Sequence, residues 1–588
     1  MPKLAEKSQA GQKGTPDWPA LTLESLIYAA LLGGAAFIRF YALGRWPLLE
    51  GEARQALSAW RFLHGGAPPS AAVPLLFDSA TLSFFLFGAG DAAARLVPAA
   101  LGTAVVLLPL ALRRRLGTWG ALAATLMLAF SPTLVFYSRT LAGTIPGLAG
   151  LGALLLAVEY AELGQGRKAR LVGAAGLAVA LTSSPWVYTA LLAGLALYGL
   201  ALLARRRADR WADWGTLTGK VAALLRERRA WLGLGLGVAL LSTAVLMRLG
   251  GLQATADLLA AWLGQLVPGS GGRSFGYPLA VLLFYETGTL TLGVAGLAVE
   301  LRRRSLWAAF LGLWAGLVLV QATVSGARDG ELVAQAILPL ALLGGLAVEA
   351  LVAWLRPAQP LWVGGSLAVF SVLVGFWWLQ LTAYFNPAAV ALLGSYLQAV
   401  WFLCLATPLV IAMAGAVLWR WVGRSETIWA LSLLGLGVAG CLLVRNSVSL
   451  NHVYARDPRE PLVVAPTSVD VRDMVSFLET WSVREALDQH ALTIAASPDL
   501  EPLVPWYLRD FSALRLSSAP EDMAEAEALV TTGAVEGLET SGYASTTYRL
   551  RTVCDAPFAD SYSAFGWWLL RVGGGAVRPE TCRLWVRP

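Results

Sequence analysis

Two acids, Glu50 and Glu52, stand two residues apart where an apolar segment gives way to a long loop. A carboxylate there can act as a general base or hold a metal. A solvated acid at an interface is the plainer alternative. Arg95 and Arg139 stand at the ends of apolar segments. They can meet an anion, or they can simply reach the membrane surface on long stems. Glu286 falls inside an apolar segment, where an acid is costly and is normally paired or functional. Arg328 is followed by Asp329, which suggests either a phosphate contact or a local ion pair. His64 has no cluster of ligands around it, and the four cysteines fit no zinc spacing. No Gly-rich phosphate loop and no nucleophile elbow is present, and no cofactor is implied with certainty.

The elements that must position these residues are hydrophobic. Of 588 residues, 57% are hydrophobic and 14% charged, and mean hydropathy is +0.61. Soluble domains carry about 25% charge. A cytosolic enzyme, a disordered chain and a nucleic-acid binder are therefore excluded as first readings. Apolar runs long enough to cross a bilayer predict thirteen spans, near 22–43, 95–112, 118–137, 145–161, 171–184, 187–204, 230–247, 277–299, 305–324, 332–352, 361–383, 398–420 and 426–444.

Charge orients them. Arg113 to Arg115, then Arg167, Lys168 and Arg170, then Arg205 to Arg207 with Arg210, Arg226, Arg228 and Arg229, fall in alternate loops. Arg302 to Arg304, Arg356, and Arg420 with Arg424 continue the pattern. Short basic loops stay cytoplasmic, and Lys3, Lys7 and Lys13 put the N-terminal segment 1–21 on the same side. An odd span count then places the C-terminal part outside. A multi-pass protein of the plasma (inner) membrane is expected. The first segment is too long, and lacks the cleavage site, for a removable signal.

From Arg445 onward there are 19 acidic and 13 basic residues, a net of −6, against +13 for the remainder. This acidic part, 445–588, reads as a small outside α/β domain. Strands are predicted near Pro461–Ala465, Leu492–Ala496, Ala528–Thr532 and Thr546–Val553, and helices near Val469–Trp481 and Glu521–Glu527. Cys554 and Cys582 lie in it, where a disulfide can persist; two free thiols are the alternative. Trp506, Tyr507, Arg509 and Asp510 form either a glycan-contacting patch or a docking face. Within the bundle 22–444, the first outside loop (44–94) predicts an amphipathic helix and then an apolar one, both at the membrane surface.

The strings PLLEGEARQALSAWRFLHGG, PLLFDSATLSFFLFGAGDAAARLVPAALG and LAFSPTLVFYSRT resemble the start of GT-C membrane glycosyltransferases. That group includes the protein O-mannosyltransferases and the lipid A aminoarabinose transferases. GGRSFGYPLAVLLFYE, ILPLALLGG, EPLVVAPTSVDVRDMV and PWYLRDF extend the likeness in order along nearly the whole chain. The branch they most resemble is the flippase-activity-associated proteins of N-glycosylation. The resemblance implies a GT-C-like bundle and a polyprenyl-phosphate-linked sugar, or a membrane lipid in its place, bound between the first loop and the eighth to tenth spans. It implies a first-loop carboxylate as base, Glu52 or Glu50 here. Arg95, Tyr137, Arg139, Gly271, Gly272, Tyr285, Glu286 and Arg328 match its scaffold or phosphate-contact positions.

Several family positions differ. The catalytic Asp position holds Gly51, the acidic pair after the third span falls on Gly143 and Thr144, the His-Gly on Ala72 and Val73, and the Lys-Glu near Ser183 and Ser184. Two functions therefore stand side by side. One is glycosyl transfer at the outer face for glycoprotein or cell-envelope glycan assembly. The other is a non-catalytic structural or accessory subunit that keeps the fold and works with partner membrane subunits.

Overall fold

The computed structural model describes residues 22–66, 73–204, 219, 227–267, 273–326, 328–355, 358–517, 526–533, 542–558 and 560–587. Helices stand at all thirteen expected places. Eight of them are individually long and apolar enough to cross a membrane, and ten are if two bent pairs each count as one span. The other three are Gly166–Ser183, Val187–Ala204 and Arg228–Ser242. The first carries Arg167, Lys168 and Arg170 in its opening turns, and the last has only 15 residues. The chain is thus a multi-pass helical membrane protein, with a smaller set of independently hydrophobic spans than the sequence predicts.

The bends have identifiable causes. Thr118–Phe130 meets Pro132–Ser138 at 54°, because Pro132 cannot continue the hydrogen-bond ladder and Ser131 caps the second piece, accepting from Leu134 N at 3.1 Å. Tyr277–Tyr285 meets Thr287–Arg302 at 103° across Glu286.

The most buried span is Gly330–Trp354. Its neighbours approach through glycine. A Cβ on Gly120 would lie 2.7 Å from the Gly345 carbonyl oxygen, and one on Gly345 would lie 2.5 Å from that of Gly120. Small residues let helix backbones touch where lipid offers no hydrophobic drive. One turn on, the Glu349 carboxylate accepts from Trp119 N and Gly120 N, both at 3.0 Å. That caps the Thr118–Phe130 helix with charge of the right sign for a helix N-terminus. Pro360–Phe385, Pro387–Trp421 and Arg424–Val453 are the least buried spans and form the periphery.

The first loop forms the expected helices, Glu50–Leu63 and Pro74–Phe87; residues 67–72, with Ala72, lie outside the described residues. The last span, Arg424–Val448, runs past the expected boundary at 445 into a π turn, Ser449–Val453.

The C-terminal part holds a five-stranded sheet of β1 (Thr493–Ala496), β2 (Ala513–Leu516), β3 (Ala528–Thr531), β4 (Ala544–Val553) and β5 (Arg578–Val586), in the order β2-β1-β3-β5-β4. β1 pairs parallel with β2 and β3; β5 pairs antiparallel with β3 and β4. Pro461–Ala465 is turn and coil rather than a strand, because its backbone serves the bundle: Tyr277 donates to the Pro461 carbonyl at 3.0 Å. β2 and β5 were not expected. Most of the predicted helix Glu521–Glu527 lies outside the described residues.

The expected disulfide is absent: Cys554 and Cys582 are free thiols. Cys582 faces Tyr548 in the β4–β5 ladder, whereas Cys554 follows Val553, whose partner is Arg578. Four residues of strand separate Arg578 from Cys582, roughly 13 Å, beyond the reach of about 7 Å that a disulfide allows.

Two polar clusters seat this domain on the bundle. Asp91, at the start of the Asp91–Val105 helix, accepts from Trp506 Nε1 at 2.9 Å, Tyr507 Oη at 3.1 Å and Arg472 at 2.5 Å. Trp506 is fully buried, so the Trp-Tyr-Arg-Asp segment is a docking face. Elsewhere the buried Glu460 pairs with Arg571 and accepts from Tyr285.

Candidate functional site

Glu52 is placed by the helix it opens. Its Oε2 accepts from Leu49 N at 2.8 Å, capping that helix, and from Arg95 at 2.6 Å; Oε1 accepts from Arg95 Nε and Leu141 N, each at 2.8 Å. Arg95 also donates to the carbonyls of Leu43, Trp46 and Pro47. Both side chains are buried, each 4% exposed. Burial alone would raise the Glu52 carboxyl, but Arg95 and the Leu49 and Leu141 amides outweigh it and hold it below the ordinary glutamate value. A carboxylate with its acceptor sites taken and its basicity reduced is poorly suited to accept a proton. Glu50 lies two residues away on the helix, half-exposed, paired with Arg54 at 3.2 Å and Arg551 at 2.7 Å.

The expected phosphate contacts are spent on the backbone. Arg139 donates to the carbonyls of Ile38, Arg39, Tyr41 and Ala42. Arg39, which sequence reasoning missed, is 1% exposed and donates to Ser138 and to the carbonyls of Ala35, Leu128 and Ala129. Arg95 and Arg139 line a small cavity of about 40 Å³ with Arg456, also missed. Burial, then the nearby Arg95 charge, lowers Arg456 to about 9.

Glu286 is fully buried and joins the two span breaks. It accepts from Ser131 Oγ, from Thr133 N at 3.3 Å and from Thr289 Oγ1 at 3.0 Å. Its place is a clasp between bent spans. Tyr285 serves the domain contact described above. Arg328 stacks on Phe275, 4.0 Å from its ring centre, and it and Arg273 each donate a guanidinium hydrogen bond to the other's backbone carbonyl. Gly271 and Gly272 lie outside the described residues.

Glu50, Glu52 and Tyr137 do come together, on a cavity of about 600 Å³. Leu49 to Glu52 form one wall, Gly143 with Ser183 and Ser184 a second, and Asp329 and Glu331 a third, while Val464 and Ala465 of the C-terminal domain close one side. It shares Leu49, Glu52, Phe136 and Thr140 with the small arginine-lined cavity. Among the described residues, no Arg, Lys or His lines it. Four carboxylates do; sequence reasoning passed over Glu331 and considered Asp329 only as a partner for Arg328. The available signal was Asp-Gly-Glu at the start of a span, an N-cap followed by an acid in the first turn. Among the described residues, no group of three or more His, Cys, Asp or Glu could hold a metal ion.

No protein-family model matches the chain, and no curated protein sequence matches it. Solved structures do. ArnT from Cupriavidus metallidurans bound to undecaprenyl phosphate superposes with a TM-score of 0.53 at 17% identity, covering 95% of this chain and 98% of that one. The same protein in the apo state gives 0.49 at 17% identity, covering 95% and 97%. At this identity the first likeness is one of fold: the chain has the GT-C fold. It does not single out the branch of that fold suggested by the sequence.

Replacing one member of a buried pair leaves the other charged and alone, at a cost of about 3–5 kcal/mol. Glu52→Gln is therefore expected to lower thermal stability in detergent sharply. A folded-state carboxyl held below its ordinary value stabilises above the ordinary glutamate range and loses that contribution as pH falls through the depressed value. The deficit of Glu52→Gln should thus be full at pH 7 and shrink below about pH 4. Unfolding curves of the two proteins that coincide at pH 7 would contradict this placement.

Proposed function

We propose that the chain is a membrane glycosyltransferase that takes a sugar from a polyprenyl-phosphate carrier and passes it to an acceptor entering the cavity of about 600 Å³. The cavity carries the reading: it is lined by four carboxylates and lies between the first loop, two span junctions and the C-terminal domain. The fold supports it, since ArnT, which shares it, was solved bound to undecaprenyl phosphate. Donors of Arg95, Arg139 and Arg456 are engaged, but these three cations outnumber Glu52 beside the shared wall, and that net positive charge would act on a leaving phosphate through space. The sequence resemblance favours the flippase-associated, O-mannosyltransferase-like branch, and with it glycoprotein or cell-envelope glycan assembly.

A second reading has its own support. Glu52 is held by four hydrogen bonds, and the family's other acidic positions hold Gly143 and Thr144. A chain that kept this fold as an accessory subunit of a membrane complex would show the same features.

Purified full-length protein in lipid nanodiscs, given undecaprenyl-phosphate-linked mannose or glucose and Ser/Thr peptides, is expected to form glycosylated product dependent on donor and protein. No product across that panel, with stoichiometric co-purification of membrane partners, would favour the accessory reading instead.

The same reading places the cavity and the C-terminal domain outside and the N-terminus inside, following the basic loops. Ser476 is exposed on the domain's helix Asp470–Ala486. In a Cys554→Ser background, Ser476→Cys is expected to react with an impermeant maleimide in intact cells; reaction only after lysis would reverse the topology.

A further inference from the structure

If Glu52 is tied up, a transferase needs its proton acceptor elsewhere, and the wall formed by Asp329, Gly330 and Glu331 offers one. Asp329 caps the Gly330–Trp354 helix, its Oδ1 accepting from Glu331 N at 3.4 Å. Glu331 Oε2 accepts from Thr144 Oγ1 at 2.9 Å. Its other oxygen takes no hydrogen bond from the described residues, and the side chain is half-buried at the cavity. Neither acid is ion-paired among the described residues, whereas Glu52 and Glu50 both are.

A separate observation points to a ligand here. Tyr137 also lines the cavity and is 6% exposed. Its hydroxyl has no hydrogen-bond partner among the described residues. The ring is buried but the hydroxyl opens onto the cavity, so a bound molecule can take this hydrogen bond in place of water. The hydroxyl is set by the absence of a side chain at Gly330, where a Cβ would come within 2.6 Å of it.

Thr144 gives the arrangement its sense. The position where the resemblance expects an acid carries a hydroxyl, and that hydroxyl holds a carboxylate supplied by a different span.

We infer that Glu331 is the proton acceptor of the transfer reaction, with Asp329 fixing its backbone and Tyr137 donating a hydrogen bond to the bound substrate. The inference rests on the glycosyltransferase reading above. The acceptor hydroxyl oxygen bonds to the anomeric carbon as the bond from that carbon to the carrier phosphate oxygen breaks. The phosphate leaves with the electron pair, and the acceptor proton passes to the free oxygen of Glu331. With carboxylates and no cation among its described lining, the cavity suits an acceptor that is neutral or positively charged.

The test compares the full chain with Glu331→Gln, using undecaprenyl-phosphate-linked mannose or glucose and Ser/Thr peptides in nanodiscs, with carrier-lipid binding measured alongside. A lost general base removes a factor of about 10² to 10⁴ in rate. Glu331→Gln is expected to fall by that much, to lose the acidic limb of the pH–rate profile, and to bind undecaprenyl phosphate as the unmodified chain does. Turnover within about threefold of the unmodified chain overturns the assignment of Glu331 alone; no turnover by the unmodified chain overturns the glycosyltransferase reading and this inference with it. Should Glu331→Gln not fold, Thr144→Val removes only the hydroxyl on the carboxylate. A displaced acidic limb then supports the assignment, and an unmoved one overturns it.

Discussion

Taking two opposite charges out of water is worth doing only when each finds every partner it needs, and Glu52 and Arg95 meet that condition. Their pair ties the first turn of the loop helix Glu50–Leu63 to the Asp91–Val105 helix, while Leu141 N adds the junction after the third span. The remaining donors of Arg95 close on the carbonyls that follow the first span. One ion pair thereby fixes three segments far apart in sequence and sets one wall of the cavity. The C-terminal domain then locks onto the same region: Tyr507 Oη accepts from Leu48 N at 2.6 Å, Thr467 donates to the Leu48 carbonyl at 2.6 Å, and Asp91 gathers Trp506, Tyr507 and Arg472.

The same economy recurs inside the bundle. Glu286 takes donors from two broken spans, Arg139 satisfies carbonyls that the end of the first span exposes, and Arg39 satisfies those of Leu128 and Ala129 just before the break at Pro132. In a low-dielectric setting, charged side chains serve the backbone wherever the helical ladder stops. Asp329 and Glu331, which form no ion pair among the described residues, are the acids this scaffold leaves at the cavity.

Much of this architecture is legible in the sequence. Apolar runs located every span helix, and the amphipathic then apolar halves of the first loop became Glu50–Leu63 and Pro74–Phe87. β1, β3 and β4 followed from β-branched runs, but β5 did not, since Arg578, Pro579 and Glu580 obscure its alternation. The disulfide expectation failed because sequence separation carries no register. The site was less legible for a specific reason: an acid inside or beside an apolar run looks functional whether it clasps helices, as Glu286 does, or faces a cavity, as Glu331 does. Only the partners tell them apart, and those come from residues such as Ser131 and Thr144 more than 150 positions away.

On the proposed reading the carboxylate-lined cavity is where substrate chemistry takes place, with Glu52 as its anchor and Glu331 as its reactive group. A cryo-electron-microscopy structure of the full chain in nanodiscs with an undecaprenyl-phosphate-linked sugar would decide it. The sugar is expected in the cavity, beside Tyr137 and Glu331, with Glu52 still paired to Arg95. A sugar bound elsewhere, or a Glu52 that has left Arg95 to meet it, would overturn this assignment.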